Sequence, residues 1–220
     1  MQIKFNFTDF DRKLTRKLAS EWNIKYAYNI ENIQTEIQQV IQAYLKQTST
    51  YRSLLNGTLA GEFGLAESNR QEIVDGVVEK ISKLVEVRRK IIKRRDWRFL
   101  LIKETVIDAA VTINIVPSNM YWVSDIDEGF FETEKGEIIN WLDWLLLQGS
   151  EPQVFDFKFA KGFDEYSRSG KGIMIKSSGD WSVPASFSGV ESDNWITRTL
   201  DQYSEQIRDD ISFILVKGIS

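Results

Sequence analysis

Hydrophobic positions along the chain change period several times, and each change marks a predicted element. Residues 2–7 alternate Ile3, Phe5 and Phe7 with Gln2, Lys4 and Asn6, the period of two of a strand with one buried face. Thr8 or Asp9 then offers a cap to a helix carrying Phe10, Leu14, Leu18 and Trp22 at four-residue spacing. Ile30, Ile33, Ile37, Val40, Ile41 and Tyr44 extend the helical spacing, and no Gly or Pro separates the two patterns, so one continuous helix is compatible with both. Gly57, Gly61 and Gly64 punctuate the chain, and Ser68 or Asn69 opens a helix with Ile73, Val74, Val77, Val78 and Ile81 on one face. Val85, Val87 and then Trp97, Phe99, Leu101 read as strands on either side of a polar turn at Lys93–Asp96.

The second half is more varied. Ala110 to Val116 is an apolar, β-branched run ended by Pro117, and an acidic loop from Asp125 to Glu137 leads into a short helix, Trp141–Leu147. Val154, Phe157 and Phe159 begin a strand, Gly172 to Lys176 offers another, and Asp193 caps a last helix with Leu200, Tyr203, Ile207, Ile211 and Ile214 in a row. The elements predict an α+β fold: N-terminal helices, then a mostly antiparallel β-sheet packed with a short Trp-rich helix and a long C-terminal helix. A mainly helical part over 1–83 and an α+β part over 84–220 are expected to form one compact unit.

Composition narrows the chemistry. The 220 residues are 42% hydrophobic and 12% aromatic, enough for a real core, and they include no His and no Cys. Ser–His and Cys–His nucleophile pairs are therefore excluded, as are disulfides and zinc sites of ordinary type. The N-terminal Met1–Phe7 lacks the order of a signal peptide, and the apolar run Trp141–Leu147 is too short to span a bilayer. A soluble protein made in the cytoplasm, with no membrane partner, is the expectation. Net charge is −4, yet residues 1–110 hold 19 Lys and Arg against 14 Asp and Glu, while 111–220 hold 9 against 18. Such polarity suits head-to-tail association, and equally an external polyanion.

Four stretches invite chemistry. Arg88, Arg89, Lys90, Lys93, Arg94, Arg95 and Arg98 meet only Asp96 within their strip, which fits phosphate contact with Trp97 and Phe99 nearby for stacking. The plainer alternative is a solvated strand pair whose charges discourage edge aggregation. Asp125-Ile-Asp127-Glu128-Gly129 has the look of a calcium loop but lacks the ligand spacing of one. Ser169-Gly170-Lys171-Gly172 lacks the earlier Gly of a phosphate loop, since position 165 is Glu, and reads better as a turn entering a strand. Asp164 and Glu165 are adjacent and so point apart, a poor start for a carboxylate-dependent hydrolase.

The densest stretch is Trp141 to Arg198. Its helix Trp141-Leu-Asp-Trp144-Leu-Leu-Leu147 is apolar on more than one face. It therefore packs either into the protein's own core, with Trp141, Leu142, Leu145 and Leu146 inward, or against a neighbouring subunit. Ser167-Arg168-Ser-Gly170-Lys-Gly172-Ile-Met174, Trp181-Ser-Val-Pro184-Ala-Ser-Phe187-Ser-Gly189 and Asp193-Asn-Trp195-Ile-Thr197-Arg198 follow. Together with Ser53-Leu-Leu-Asn-Gly57 and Gly61-Glu-Phe-Gly-Leu65, this set resembles tailed-bacteriophage virion proteins of the neck, tail-completion and minor tail type. The resemblance implies a structural role without catalytic residues, cofactors or metals. It implies a homo-oligomeric ring at the head–tail connection, of about six copies in preference to twelve. Other neck, portal-adaptor or tail proteins would be its partners, in the virion, with DNA passing through the lumen. On that reading Trp141, Trp144, Arg168, Trp181, Pro184, Phe187, Trp195 and Arg198 dock one subunit on the next. The competing reading is a module that binds nucleic acid non-specifically through the 88–98 strip.

Overall fold

A computed structural model describes residues 2–6, 12–96, 103–114, 121–133, 136–149, 151–162, 165 and 167–217, with side chains described from residue 29 onward apart from 89–96, 103–112, 114, 121 and 124. The caps at Thr8 or Asp9, the apolar Trp97, Phe99 and Leu101, Val116 and Pro117, Arg98 and Asp164 lie outside these residues. Helices and small antiparallel sheets make an α+β fold with N-terminal helices and a long C-terminal helix. The chain divides into two compact units, and each is assembled from separated stretches. Met1–Ile41, Ser82–Pro117 and Ser204–Ser220 make the first, and Gln42–Ile81 with Ser118–Tyr203 the second.

The first unit holds strands β1 (Gln2–Asn6), β2 (Glu86–Asp96) and β3 (Lys103–Asn114) in one antiparallel sheet of order β1-β3-β2. Lys93–Asp96 is not a turn but the end of β2, with Lys93 opposite Val106 and Asp96 opposite Lys103. Those four residues contain no Gly, Pro or Asn to force a reversal, and β3 satisfies their backbone groups. Oppositely charged residues also share register positions there, Arg95 with Glu104 and Asp96 with Lys103. Helix α1 runs unbroken over Arg12–Gln47. It buries Ile33, Ile37 and Ile41, the every-fourth-residue stripe read from the sequence. Helix α7 (Ser204–Lys217) buries Ile207, Ile211, Ile214 and Leu215, and its Lys217 Nζ lies 3.5 Å from Glu36 of α1.

The second unit packs the end of α1 with α2 (Ser49–Asn56), α3 (Thr58–Glu62), α4 (Arg70–Lys83), α5 (Trp141–Leu146) and α6 (Trp195–Gln202). Two hairpin-sized sheets complete it: β4 (Phe130–Glu132) with β5 (Ile138–Asn140), and β6 (Phe157–Ala160) with β7 (Ile173–Lys176). The expected sheet is thus three separate ones, because strands of three or four residues close locally before any long ladder forms. Within the acidic loop read at 125–137, a short 3-10 turn at Asp127–Gly129 precedes β4.

Thr48 shows how this unit is held. Its hydroxyl donates to Leu45 O at 2.7 Å and accepts from Tyr51 N at 3.3 Å and from Trp195 Nε1 at 2.9 Å. One donor and two lone pairs are all a threonine hydroxyl has, so Thr48 is saturated. The contact ends α1, caps α2 and fixes α6, across 147 positions of sequence. Asp193 is not the cap of α6. Asn194 is, with its Oδ1 accepting from Ile196 N and Thr197 N, and Thr197 Oγ1 accepting from Asn194 N in return. The predicted last helix is two helices, parted at Tyr203. Its hydrophobic row is divided between them, Leu200 buried on α6 and Ile207, Ile211 and Ile214 on α7, each within its own unit.

Asn194 is fully buried and also donates to Val190 O and Glu191 O. Asn194→Ala removes the cap and leaves those carbonyls without a donor, at an expected cost of about 2 kcal/mol. Urea unfolding checks this as a lower midpoint at unchanged slope.

Candidate functional site

The second unit carries a groove of about 480 Å³, and the Ser167–Met174 segment forms one of its walls. Two arginines place that segment. Arg70, at the start of α4 and only 5% exposed, donates from Nε and Nη2 to Leu65 O, from Nη1 to Leu55 O, and from Nη2 to Ser169 O. Burial works against its charge, and nearby Glu67 partly restores it. Arg168 is exposed, and its Nε donates to Gly64 O at 2.8 Å and its Nη1 to Glu132 O at 3.1 Å. Its guanidinium also sits 5.0 Å from the centre of the Phe131 ring. Both side chains spend their donors on backbone carbonyls of the same unit.

The serines between them close the turn. Ser167 Oγ donates to Gly172 O at 2.5 Å and meets Ser169 Oγ at 2.8 Å. Gly170 and Gly172 hold φ of +61° and +144°, which side chains other than glycine rarely adopt. A Cβ at Gly172 would also strike the Ala160 carbonyl of β6. The Ser-Gly-Lys-Gly sequence is therefore a turn feeding β7, as read from its spacing.

Phe63 and Trp144 line the groove as members of an aromatic cluster. Phe63 lies 5.5 Å from Trp141 and 6.1 Å from Trp181, ring centre to ring centre, and Trp144 lies 5.9 Å from Trp181. Trp141 is fully buried, and its Nε1 donates to Glu128 O at 3.0 Å. Trp144 is half-buried and lines the groove with Phe131, Ile139, Val154, Phe157 and Met174. The inward set on α5 is Trp141, Leu142, Leu145 and Leu146, the core alternative read from the sequence.

Glu62, the last residue of α3, also lines this groove. Its Oε2 is enclosed and has no hydrogen-bond partner among the described residues. Burial pushes its carboxyl up to about 7, against a smaller opposing pull from Lys161. Glu62 is thus poised between acid and anion near neutrality, beside an apolar wall.

The structure sorts the remaining sequence-derived residues. Trp141, Trp181 and Trp195 are packed inside the unit, so their rings present little surface to a partner. Trp144, Arg168, Pro184, Phe187 and Arg198 keep part of their surface open. Pro184 O accepts from Phe187 N and Ser188 N, a tight turn, and Arg198 pairs with Asp193 at 2.6 Å while donating to Ser188 O. Of the basic strip, Arg88 is exposed and paired with Glu86 at 2.7 Å. Arg89, Lys90, Lys93, Arg94 and Arg95 are placed along β2 by their backbone alone, and Arg98 lies outside the described residues. In the calcium-like turn, the Lys80 ammonium meets Glu128 at 2.6 Å and Asp127 at 3.9 Å. Among the described residues no group of acidic side chains is arranged to hold a metal ion.

Sequence reasoning passed over Arg70 and Glu62. Arg70 lies outside the quoted stretches and Glu62 only within the Gly61–Leu65 one, and what distinguishes both is burial, which for Arg70 involves a residue 99 positions away. No family model matches the chain, and comparison with curated proteins and with solved structures likewise gives no match.

Two outcomes follow from this geometry. Arg70→Lys leaves one ammonium to serve three carbonyls and is expected to cost about 3 kcal/mol. Arg168→Lys, exposed, is expected to cost about 1 kcal/mol or less in the same urea titration. The unfolded chain returns Glu62 to its ordinary value of 4.5, so between there and about 7 the folded protein holds a proton the unfolded chain has released. Stability is therefore highest below the lower value, falls as pH rises toward 7, and then levels. Glu62→Gln is expected to lose that slope, with an unfolding midpoint above wild type at about pH 8 and level with it near the unfolded carboxyl value.

Proposed function

We propose that the protein is a structural component of a tailed-bacteriophage virion, working as a homo-oligomeric ring in the neck or head–tail connection, in a tail-completion or terminator role. The observation that carries the ring is the division of charge between the compact units. The first unit holds 17 Lys and Arg against 12 Asp and Glu, a net of +5, and the second holds 11 against 20, a net of −9. Subunits polarised in this way attract one another head to tail, and a heterologous contact that closes on itself is a ring.

The Trp141–Arg198 block supports the virion assignment by its resemblance to neck and tail-completion proteins. Its chemistry supports a structural role. Arg70, Arg168, Asn194 and Arg198 direct their polar atoms at backbone and side chains of their own unit. A scaffold stiffened in this manner suits a part that must hold a fixed angle to its neighbours. Neck, portal-adaptor and other tail proteins are its proposed partners. The basic residues of β2 supply a second reading, non-specific contact with DNA along the ring's lumen.

Native mass spectrometry and negative-stain micrographs test the ring. The expected result is a closed species of about six copies, weakened as salt is raised because screening shortens the reach of the opposed charges. A protein that stays monomeric at high concentration in low salt, with no ring in micrographs, would overturn it. Retention on duplex DNA that falls steeply with salt would instead favour the second reading.

A further inference from the structure

The start of α2 opens onto another pocket of the second unit, about 320 Å³ in volume and lined by residues of α2 and α6. Its lining includes Arg52 and Arg198 and, among the described residues, no Asp or Glu. That is unlike the unit around it, whose net charge is −9. Both arginines have donors to spare. Arg52 is exposed and commits Nη2 to Gln47 O at 2.6 Å. Arg198 commits Nε and Nη2 to Asp193 and Ser188 O, and its Nη1 donates to no described residue. Ser49 and Thr50 open α2, so their N–H groups lie ahead of its first intrahelical bonds, and the Thr48 hydroxyl caps only Tyr51 N. Thr50 carries the second, independent observation. It lines the pocket at 7% exposure, and its hydroxyl has no hydrogen-bond partner among the described residues. Burying a hydroxyl without a partner opposes folding, so its place among spare donors is explained by what the pocket takes in.

We propose that this pocket binds a phosphate group, either as inorganic phosphate or as the dianionic end of a phosphomonoester. The start of α2 supplies N–H donors and the positive end of the helix dipole. Thr50 donates its hydroxyl, and Ser49 and Ser186 line the same pocket with hydroxyls of their own. Arg52 and Arg198 bring the charge, and a guanidinium meets two phosphate oxygens at once. A phosphate has three strong acceptor oxygens to share among donors drawn from α2, α6 and the loop bearing Ser186, where a carboxylate has two. The pocket lies wholly within the second unit, so binding requires no second copy and stands independent of the ring reading.

Calorimetric titration with inorganic phosphate and with glycerol 3-phosphate tests the site, at matched ionic strength and at about pH 8, where both ligands are dianions. Saturable binding with a dissociation constant of about 1 mM or tighter is expected for phosphate, and none for chloride. Glycerol 3-phosphate bound at least as tightly assigns an ester as the ligand, and a weaker hold on it assigns the free ion. Thr50→Val is expected to weaken phosphate binding about tenfold. Its ligand-free melting midpoint is expected to stay level with wild type or rise, because the substitution removes an unpaired buried hydroxyl. A purely structural hydroxyl would give the opposite, a lower midpoint with binding unchanged. Arg52→Gln, at an exposed position, is expected to keep the fold and to bind phosphate at least tenfold more weakly. No saturable heat with either ligand, or an affinity that neither Thr50→Val nor Arg52→Gln reduces, would overturn the site.

Discussion

The guanidinium of Arg70 is the constraint on which the second unit turns. It sits at the first residue of α4, nearly closed to solvent, and reaches the carbonyls of Leu55, Leu65 and Ser169. Those three atoms belong to the end of α2, the loop after α3, and the turn before β7. No hydrophobic contact fixes three backbone segments at such definite angles, because burial is indifferent to direction and hydrogen bonds are not. A charge enclosed in this way is costly unless its donors are used, and Arg70 uses them on backbone acceptors. Ser169, which that side chain holds, lines the groove and lies between Arg168 and the positive-φ Gly170.

The same economy runs through the block that first drew notice. Trp141, Trp181 and Trp195 fill the core, its serines close a turn, and its asparagine caps a helix. Glu62 stands apart, since its enclosed oxygen lacks the partner that the others have. Among the described residues the enclosed Glu62 Oε2 and Trp122 Nε1 both lack a hydrogen-bond partner, and the Glu62 carboxyl marks one spot of the groove lining. That spot opens onto an apolar wall containing Trp144, the tryptophan of α5 that the core does not take.

Local pattern made much of this legible. The α+β class and the strands β6 and β7 follow from spacing, and the unbroken α1 and the inward quartet of α5 were among the alternatives it left open, because a buried stripe or alternating face must be written into neighbouring residues. Long-range saturation was not legible. Thr48 looks like an ordinary helix breaker until the Trp195 indole arrives from 147 positions away, and Arg70 looks like any helix-start arginine. The strand over Lys93–Asp96 was hidden for a related reason: charge resembles a turn in one dimension, while the backbone pairing that overrides it lies on β3. Asn194 was displaced by one position because Asp and Asn both cap well, and burial alone decides between them.

The interleaving of the two units has a consequence for the order in which the molecule is completed. Every residue of the second unit precedes Ser204, whereas the first unit needs the segment from Ser204 onward. During synthesis the groove-bearing unit has all its residues in hand before α7 leaves the ribosome, and domains tend to fold as their residues emerge. The sheet of the first unit spans Gln2 to Asn114, so its strands meet only after long loop closure, which is slow. A growing chain therefore completes the groove-bearing unit before α7, which the first unit needs, has been made.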